Sequence, residues 1–321
     1  MRPLIDFASA TNPYGPHPDV LAAARAAALD RAPERTAMEA RHALAELADT
    51  DPDGIVVGNG ASDLLWTAAR ALVASGAWLR IAEPTRGEFR AAALACNARV
   101  LDWRAEARTH FAIQLDALSA TRADVLHLAN PNSPTGASVP LADIARMAAR
   151  VPKTRIVLDE SFLSLSERAG EAKTPMPENV VRIRSLTHDH ALPGLRLGYI
   201  VAAPPLAKVI AGARAAGTVS APVQAAAIAA ASQADFVADS RRRLLADRDR
   251  LAAALSAAGR TPLPTTTYFF LLPVDNATAF TARLAAAGVL VRDCTAFGLP
   301  GHIRIAARPQ ADCARLIEAL R

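Results

Sequence analysis

The sequence predicts an α/β protein, with a large domain built on a mostly parallel sheet and a small α+β C-terminal domain. Up to Gly198, short apolar runs of strand length alternate with Ala- and Leu-rich stretches at helical spacing. That order places crossover helices on a parallel sheet. Beyond Gly198 the alternation gives way to three helical stretches and then a compact group of strands and helices. The length, 321 residues of which 51% are apolar and 21% charged, suits one large domain and a smaller one.

In chain order, residues 18–31 and 36–48 carry Ala and Leu at helical spacing and predict two helices. Ile55-Val-Val57 reads as a short buried strand, and Gly58-Asn-Gly60 turns the chain into a helix from about residue 62 to 74. Strands follow at 78–82, ended by Glu83-Pro84, and at 100–103, 125–129, 156–158 and 180–184, with helices between several of them. Residues 206–216, 222–232 and 235–259 predict helices, the last charged on one face through Arg241-Arg-Arg243. Tyr268-Phe-Phe-Leu-Leu-Pro273, a helix at 278–287, strands at 289–292 and 302–306 and a helix at 309–320 complete the chain. The expected division is an N-terminal arm over 1–20, a large α/β domain over 21–220 and a small domain over 221–321, with the change between 215 and 235.

The net charge is +5 and the isoelectric point about 9.5, and the excess is largely Arg, because Lys153, Lys173 and Lys208 are the only lysines. Acidic and basic residues are interspersed, without a basic run of the kind that binds nucleic acid. The charge reads either as a solvated surface or as a preference for small anions. Cys96, Cys294 and Cys313 are widely spaced, so neither a metal site nor a disulfide framework is expected. A signal peptide and a membrane span are not expected either, and a cytoplasmic protein is.

Gly58-Asn-Gly-Ala-Ser-Asp63 joins a strand to a helix, and the N–H groups of a helix start attract anions. Alone it is also common structural punctuation. Asn130-Pro-Asn-Ser-Pro-Thr-Gly136 reads as a turn, and Asp159 in Leu158-Asp-Glu-Ser-Phe162 as an acid at a strand end.

Ser185-Leu-Thr-His-Asp-His-Ala-Leu-Pro-Gly-Leu-Arg-Leu-Gly-Tyr199 adds a family resemblance. It resembles the cofactor-lysine segment of fold-type I pyridoxal-phosphate (PLP) aminotransferases, most closely the histidinol-phosphate aminotransferase and threonine-phosphate decarboxylase group. There Ser-x-Thr-Lys precedes an Arg by eight residues, and here His188 stands at the lysine. The segments 58–63, 84–89, 130–136, 158–162 and 290–308 match the same group in order. The resemblance implies the aspartate aminotransferase-like fold of PLP-dependent transferases, PLP or pyridoxamine phosphate (PMP) as cofactor, and a homodimer.

It also implies roles. Gly60, Ala61 and Ser62 would cup the cofactor phosphate, with Ser185 and Arg196 as further ligands. Phe89 would stack on the ring, and Asn132 or Ser133 would donate to its hydroxyl. Asp159 would pair with the ring nitrogen and keep it protonated. Arg304 would bind the substrate carboxylate, and Arg308 would help it or serve a second anionic group. Asn12 and Tyr14, in a covering N-terminal arm, would meet the substrate.

Several positions depart from the pattern: His188 for Lys, Ala32 for a Tyr that reaches the phosphate across the dimer, Ser133 for Asn, Phe162 for Tyr, and Arg86 where an aromatic is common. In the family the lysine anchors the cofactor, speeds substrate entry and moves a proton. An imidazole with its ordinary pKa near 6.5 can replace only the last. Three readings stand. The chain is an enzyme for an amino acid or amino-phosphate that holds PLP or PMP noncovalently, with His188 and Asp159 as catalytic residues. It is an inactive homologue that binds a ligand or partner. Or it is an engineered lysine-to-histidine variant. Arg86, Arg304 and Arg308 favour a small anionic substrate.

Overall fold

The computed structural model describes residues 4–320. The chain begins with β1 (Ile5–Asp6), α1 (Pro18–Ala26), α2 (Met38–Ala48), β2 (Ile55–Gly58), α3 (Gly60–Leu72), β3 (Trp78–Glu83), α4 (Glu88–Ala95) and β4 (Arg99–Arg104). It continues through α5 (Leu115–Ser119), β5 (Val125–Ala129), α6 (Leu141–Arg150), β6 (Arg155–Asp159), β7 (Val180–Ser185), α7 (Leu186–Asp189) and β8 (Gly198–Val201). The rest is α8 (Pro204–Gly212), α9 (Ala221–Ala231), α10 (Ala234–Ala257), β9 (Phe269–Pro273), α11 (Ala277–Ala286), β10 (Val289–Leu290), β11 (Arg292–Asp293), β12 (His302–Ala306) and α12 (Gln310–Leu320).

Seven strands form the main sheet in the order β2-β8-β7-β6-β5-β3-β4. Only β8 runs against its neighbours, so the sheet is mostly parallel, as the alternation predicts. Its central strands β5 and β6 are largely apolar and buried because helices cover both faces. On one face Leu64, Leu65 and Ala68 of α3 and Phe89 of α4 pack on Val157, Val181 and Ile200. On the other, Ile144 and Met147 of α6 pack on Leu126, Leu128 and Leu158.

A second, antiparallel sheet, β11-β12-β9, carries the small domain. The predicted strand 289–292 is broken in two. Val289 and Leu290 pair with Ile5 and Asp6 of the N-terminal arm, while Arg292 and Asp293 pair with β12. The predicted helix 18–31 stops at Ala26, where Ala27 turns extended at ψ 141°. Beyond it the chain is exposed, Leu29 by 81%, so no partner face holds a further turn. Helix α9 shares a core with α1 and α2 through Val20, Leu44, Val223 and Ala227. Leu251 and Leu255 of α10 join the core of β9, β12 and α12. We propose on this packing that the division falls between α9 and α10, inside the 215–235 stretch where the sequence places the change.

Candidate active site

The parallel strands β3, β5, β6 and β7 end on one edge, and β2 runs with them. Open α/β sheets bind ligands at this carboxyl edge. It gathers Glu83, Asn130, Asp159 and Ser185 with the start of α3.

At that start Gly60 has φ +82°, a left-handed conformation that costs any other residue about 1–2 kcal/mol. A Cβ there would stand 2.9 Å from Nη2 of Arg196. The preceding Asn59 makes no side-chain cap, which leaves the first N–H groups of α3 free for an anion. Ser62 Oγ accepts a hydrogen bond from Arg86 Nη2 at 3.2 Å. Asp159 is buried, and its Oδ1 accepts from the Ser161 backbone N–H at 2.9 Å and from the Ser161 hydroxyl. Guanidinium, N–H and hydroxyl donors at one end and a buried carboxylate at the other fit a phosphorylated pyridine that carries a protonated nitrogen.

His188 sits on the short helix α7, directly after β7. Thr187 holds this turn, its Oγ1 bonding both the N–H and the carbonyl of Leu197. The imidazole is stacked on Phe162 at 4.9 Å, and Nδ1 is enclosed without a partner. Burial, then Arg86 and Arg304, push its pKa down to about 3, against the pull of Asp159. The sequence reading expects an imidazole near neutrality; in the folded chain it is a neutral one that gains a proton only at acid pH.

A cavity of about 670 Å³ opens beside it, bordered by His188, Phe162, Ser133, Arg86 and Arg304. Arg304 Nη1 donates to Ser133 Oγ at 2.8 Å and Nη2 to the Ala8 carbonyl at 2.6 Å, while Nε is buried unpartnered. Burial pulls Arg304 down to about 10. Burial also opposes the charge on Arg86, but Asp159 and Glu88 outweigh it and raise its pKa. Ala8 to Thr11 of the N-terminal arm also line it, as do Trp66, Glu88, Arg292 and Phe297, which were not among the sequence candidates. Arg292 lies inside a matched segment, which was its one signal; nothing in the sequence marked Trp66. Gly60, Ala61, Ser62, Ser185, Arg196 and Asp159 do not border this cavity, and Arg86 links the two regions.

Several candidates are displaced by the structure. Phe89 is fully buried in the core against His127, with ring centroids 4.7 Å apart, because α4 begins at Glu88 and turns it inward; Arg86 faces the cavity instead. Asn132 has both amide hydrogens committed, to the Pro84 carbonyl and Thr135 Oγ1, and its oxygen to Thr85 Oγ1, all at 2.8 Å. It has no donor left for a ligand, whereas Ser133 borders the cavity. Asn12 staples the arm to α7, bonding the carbonyls of His188 and Asp189. Tyr14 donates to Asp247 on α10 and lies under Arg243, and burial and Asp247 raise its pKa to about 12. Arg308 pairs with Asp312 at 2.7 Å and donates to the Asp6 carbonyl. Asn12, Tyr14 and Arg308 do not border the cavity. Among the described residues no lysine borders the cavity: Lys173 pairs with Asp49 and Lys208 borders a separate depression.

Residues 2–320 match the family described as aminotransferase class I and II. The chain is 32% identical over 319 residues to a histidinol-phosphate aminotransferase 2 of Gluconobacter oxydans, covering 97% of this chain and 89% of that protein. A histidinol-phosphate aminotransferase of Sinorhizobium meliloti, solved in complex with pyridoxal-5'-phosphate, superposes with a TM-score of 0.87 at 26% identity, covering 99% of this chain and 89% of the other. The L-threonine-O-3-phosphate decarboxylase of Porphyromonas gingivalis superposes with a TM-score of 0.82 at 25% identity, over 99% of this chain and 98% of the other. The chain belongs to the class I and II aminotransferase family.

Proposed function

We propose that this aminotransferase-family protein acts on a small anionic amino substrate, an amino acid or amino-phosphate. It holds PLP or PMP without a covalent bond and uses His188 as the acid/base. The observation that carries the reading is a neutral imidazole set among Arg86, Arg292 and Arg304 in one cavity. The relatives' names make histidinol phosphate the first substrate to test.

The cofactor, when bound, supplies the amino-group carrier and the electron sink. Gly60, Ala61, Ser62 and Arg196 would hold its phosphate and Asp159 its ring nitrogen. Arg304, anchored on Ser133 and Ala8, borders the cavity and presents its charge to an anionic substrate group. His188 Nδ1 is enclosed, which leaves Nε2 as the nitrogen that takes up and returns a proton. An imidazole held at about 3 is a weak base in the free cavity. Burial is the larger cause of the depression and stays, but a bound anion offsets the share owed to Arg86 and Arg304, so substrate binding raises the basicity in the direction catalysis needs. The Phe162 face fixes the ring plane during the transfer.

Ser133 engaged by Arg304 and Asn132 committed elsewhere favour a second reading, an inactive homologue whose cavity binds an anion. Turnover of histidinol phosphate or another anionic amine by the purified protein, lost in His188→Ala, decides for the first. Equal rates in both proteins, or none in either, decide against it. A homodimer is part of the proposal, and sedimentation equilibrium tests it.

A further inference from the structure

We propose that Arg86 is a second guanidinium of the phosphate cradle, contributed within the same chain, so that a phosphomonoester at the start of α3 is clasped between Arg86 and Arg196. This deepens the proposed function and rests on it. The two arginines come from separate loops, one after β3 and one before β8. Arg196 Nη2 lies 2.9 Å from the place of a Gly60 Cβ, and Arg86 Nη2 lies 3.2 Å from Ser62 Oγ on the same turn. They therefore approach one helix start from two sides. Glu88 accepts from Arg86 Nε at 3.3 Å and from Nη2 at 3.2 Å, which fixes the plane of the guanidinium. Among the described residues the bonds of Arg86 run from Nε and Nη2 and leave Nη1 without a protein acceptor, and the side chain is only 20% exposed. A fixed, charged, largely buried fork with one free nitrogen suits a phosphate oxygen. Ala32 offers no hydroxyl for the task, and Arg86 supplies a donor from the same chain.

Isothermal titration of the full chain with PMP, with pyridoxamine and with inorganic phosphate tests this, using wild type, Arg86→Met, Arg86→Lys and Arg196→Met. Losing one charged, well-placed donor weakens PMP binding roughly tenfold to a hundredfold in Arg86→Met and in Arg196→Met. Pyridoxamine, which lacks the phosphate, binds wild type and Arg86→Met alike, and Arg86→Lys recovers part of the PMP affinity. PMP binding that is unchanged in Arg86→Met overturns the inference, and so does an equal loss for pyridoxamine. If Arg86→Met fails to fold, Arg86→Lys decides, since it keeps the charge and loses the fork: PMP affinity equal to wild type is then the overturning result. Wild type that binds phosphate but not PMP, with the phosphate lost in Arg86→Met, upholds the cradle and overturns the cofactor reading alone. Wild type that binds neither overturns both.

Discussion

A neutral imidazole among guanidinium groups is the residue-scale fact on which the chemistry turns. Its depressed pKa has a consequence for stability. In the unfolded chain His188 takes a proton below its ordinary 6.5, whereas in the folded chain it resists until about 3. Stability tied to this residue is therefore complete above about pH 6.5 and is lost as pH falls toward the folded value. His188→Phe removes that loss, so its melting temperature should fall less than that of wild type between pH 7 and pH 4. Parallel curves would place the titration elsewhere. Asp189 acts in the opposite sense, because burial raises it to about 7, but it is common to both proteins. Asn132 makes a second residue-scale case. Two of its three buried hydrogen bonds tie the segment after β3 to the 130–136 turn and the third closes the turn on Thr135, so Asn132→Ala should lower stability in urea by about 2 kcal/mol. Such a change would leave a ligand-binding role for Asn132 unsupported. The sequence left Asn132 and Ser133 as alternatives because adjacent side chains of a turn face opposite ways, and only the fold shows which faces the cavity.

Among the elements, the turn from β2 into α3 carries the most function for its length. Gly60→Ala places a methyl group against Arg196 and forces a left-handed backbone on alanine. The expected stability loss is about 1–2 kcal/mol, with weaker phosphate binding in the same titration. A variant with wild-type melting and binding would remove Gly60 from the cradle. The strand-turn-helix pattern here was legible, because apolar strand, glycine and helical spacing are local signals. The aromatic at 84–89 was not. The motif spacing names Phe89, but α4 begins only at Glu88, and that helix start turns Phe89 into the core and leaves Arg86 at the cavity. The break within 289–292 was equally hidden, since its cause is the pairing of β10 with β1 at the other end of the chain.

On the scale of the whole molecule, the class of fold followed from the alternation of strands and helices, and the site from segments that meet on one sheet edge. The N-terminal arm lines the cavity through Ala8, Ser9, Ala10 and Thr11 and is itself held by long-range bonds. Asn12 binds α7, the Ala10 carbonyl accepts from Tyr268, and the Ala8 carbonyl accepts from Arg304. No periodicity reports such long-range bonds. Among the described residues no helix is long and apolar enough to cross a membrane. The central claim is that an imidazole moves the proton on a cofactor held without a covalent bond. The direct measurement is a single-turnover assay in which protein loaded with PMP meets the keto form of its substrate, and the released cofactor is identified. The account predicts that wild type converts PMP to PLP and that His188→Ala is slower by about a hundredfold or more. Equal rates in the two proteins, or no conversion by wild type with its substrate bound, would contradict it.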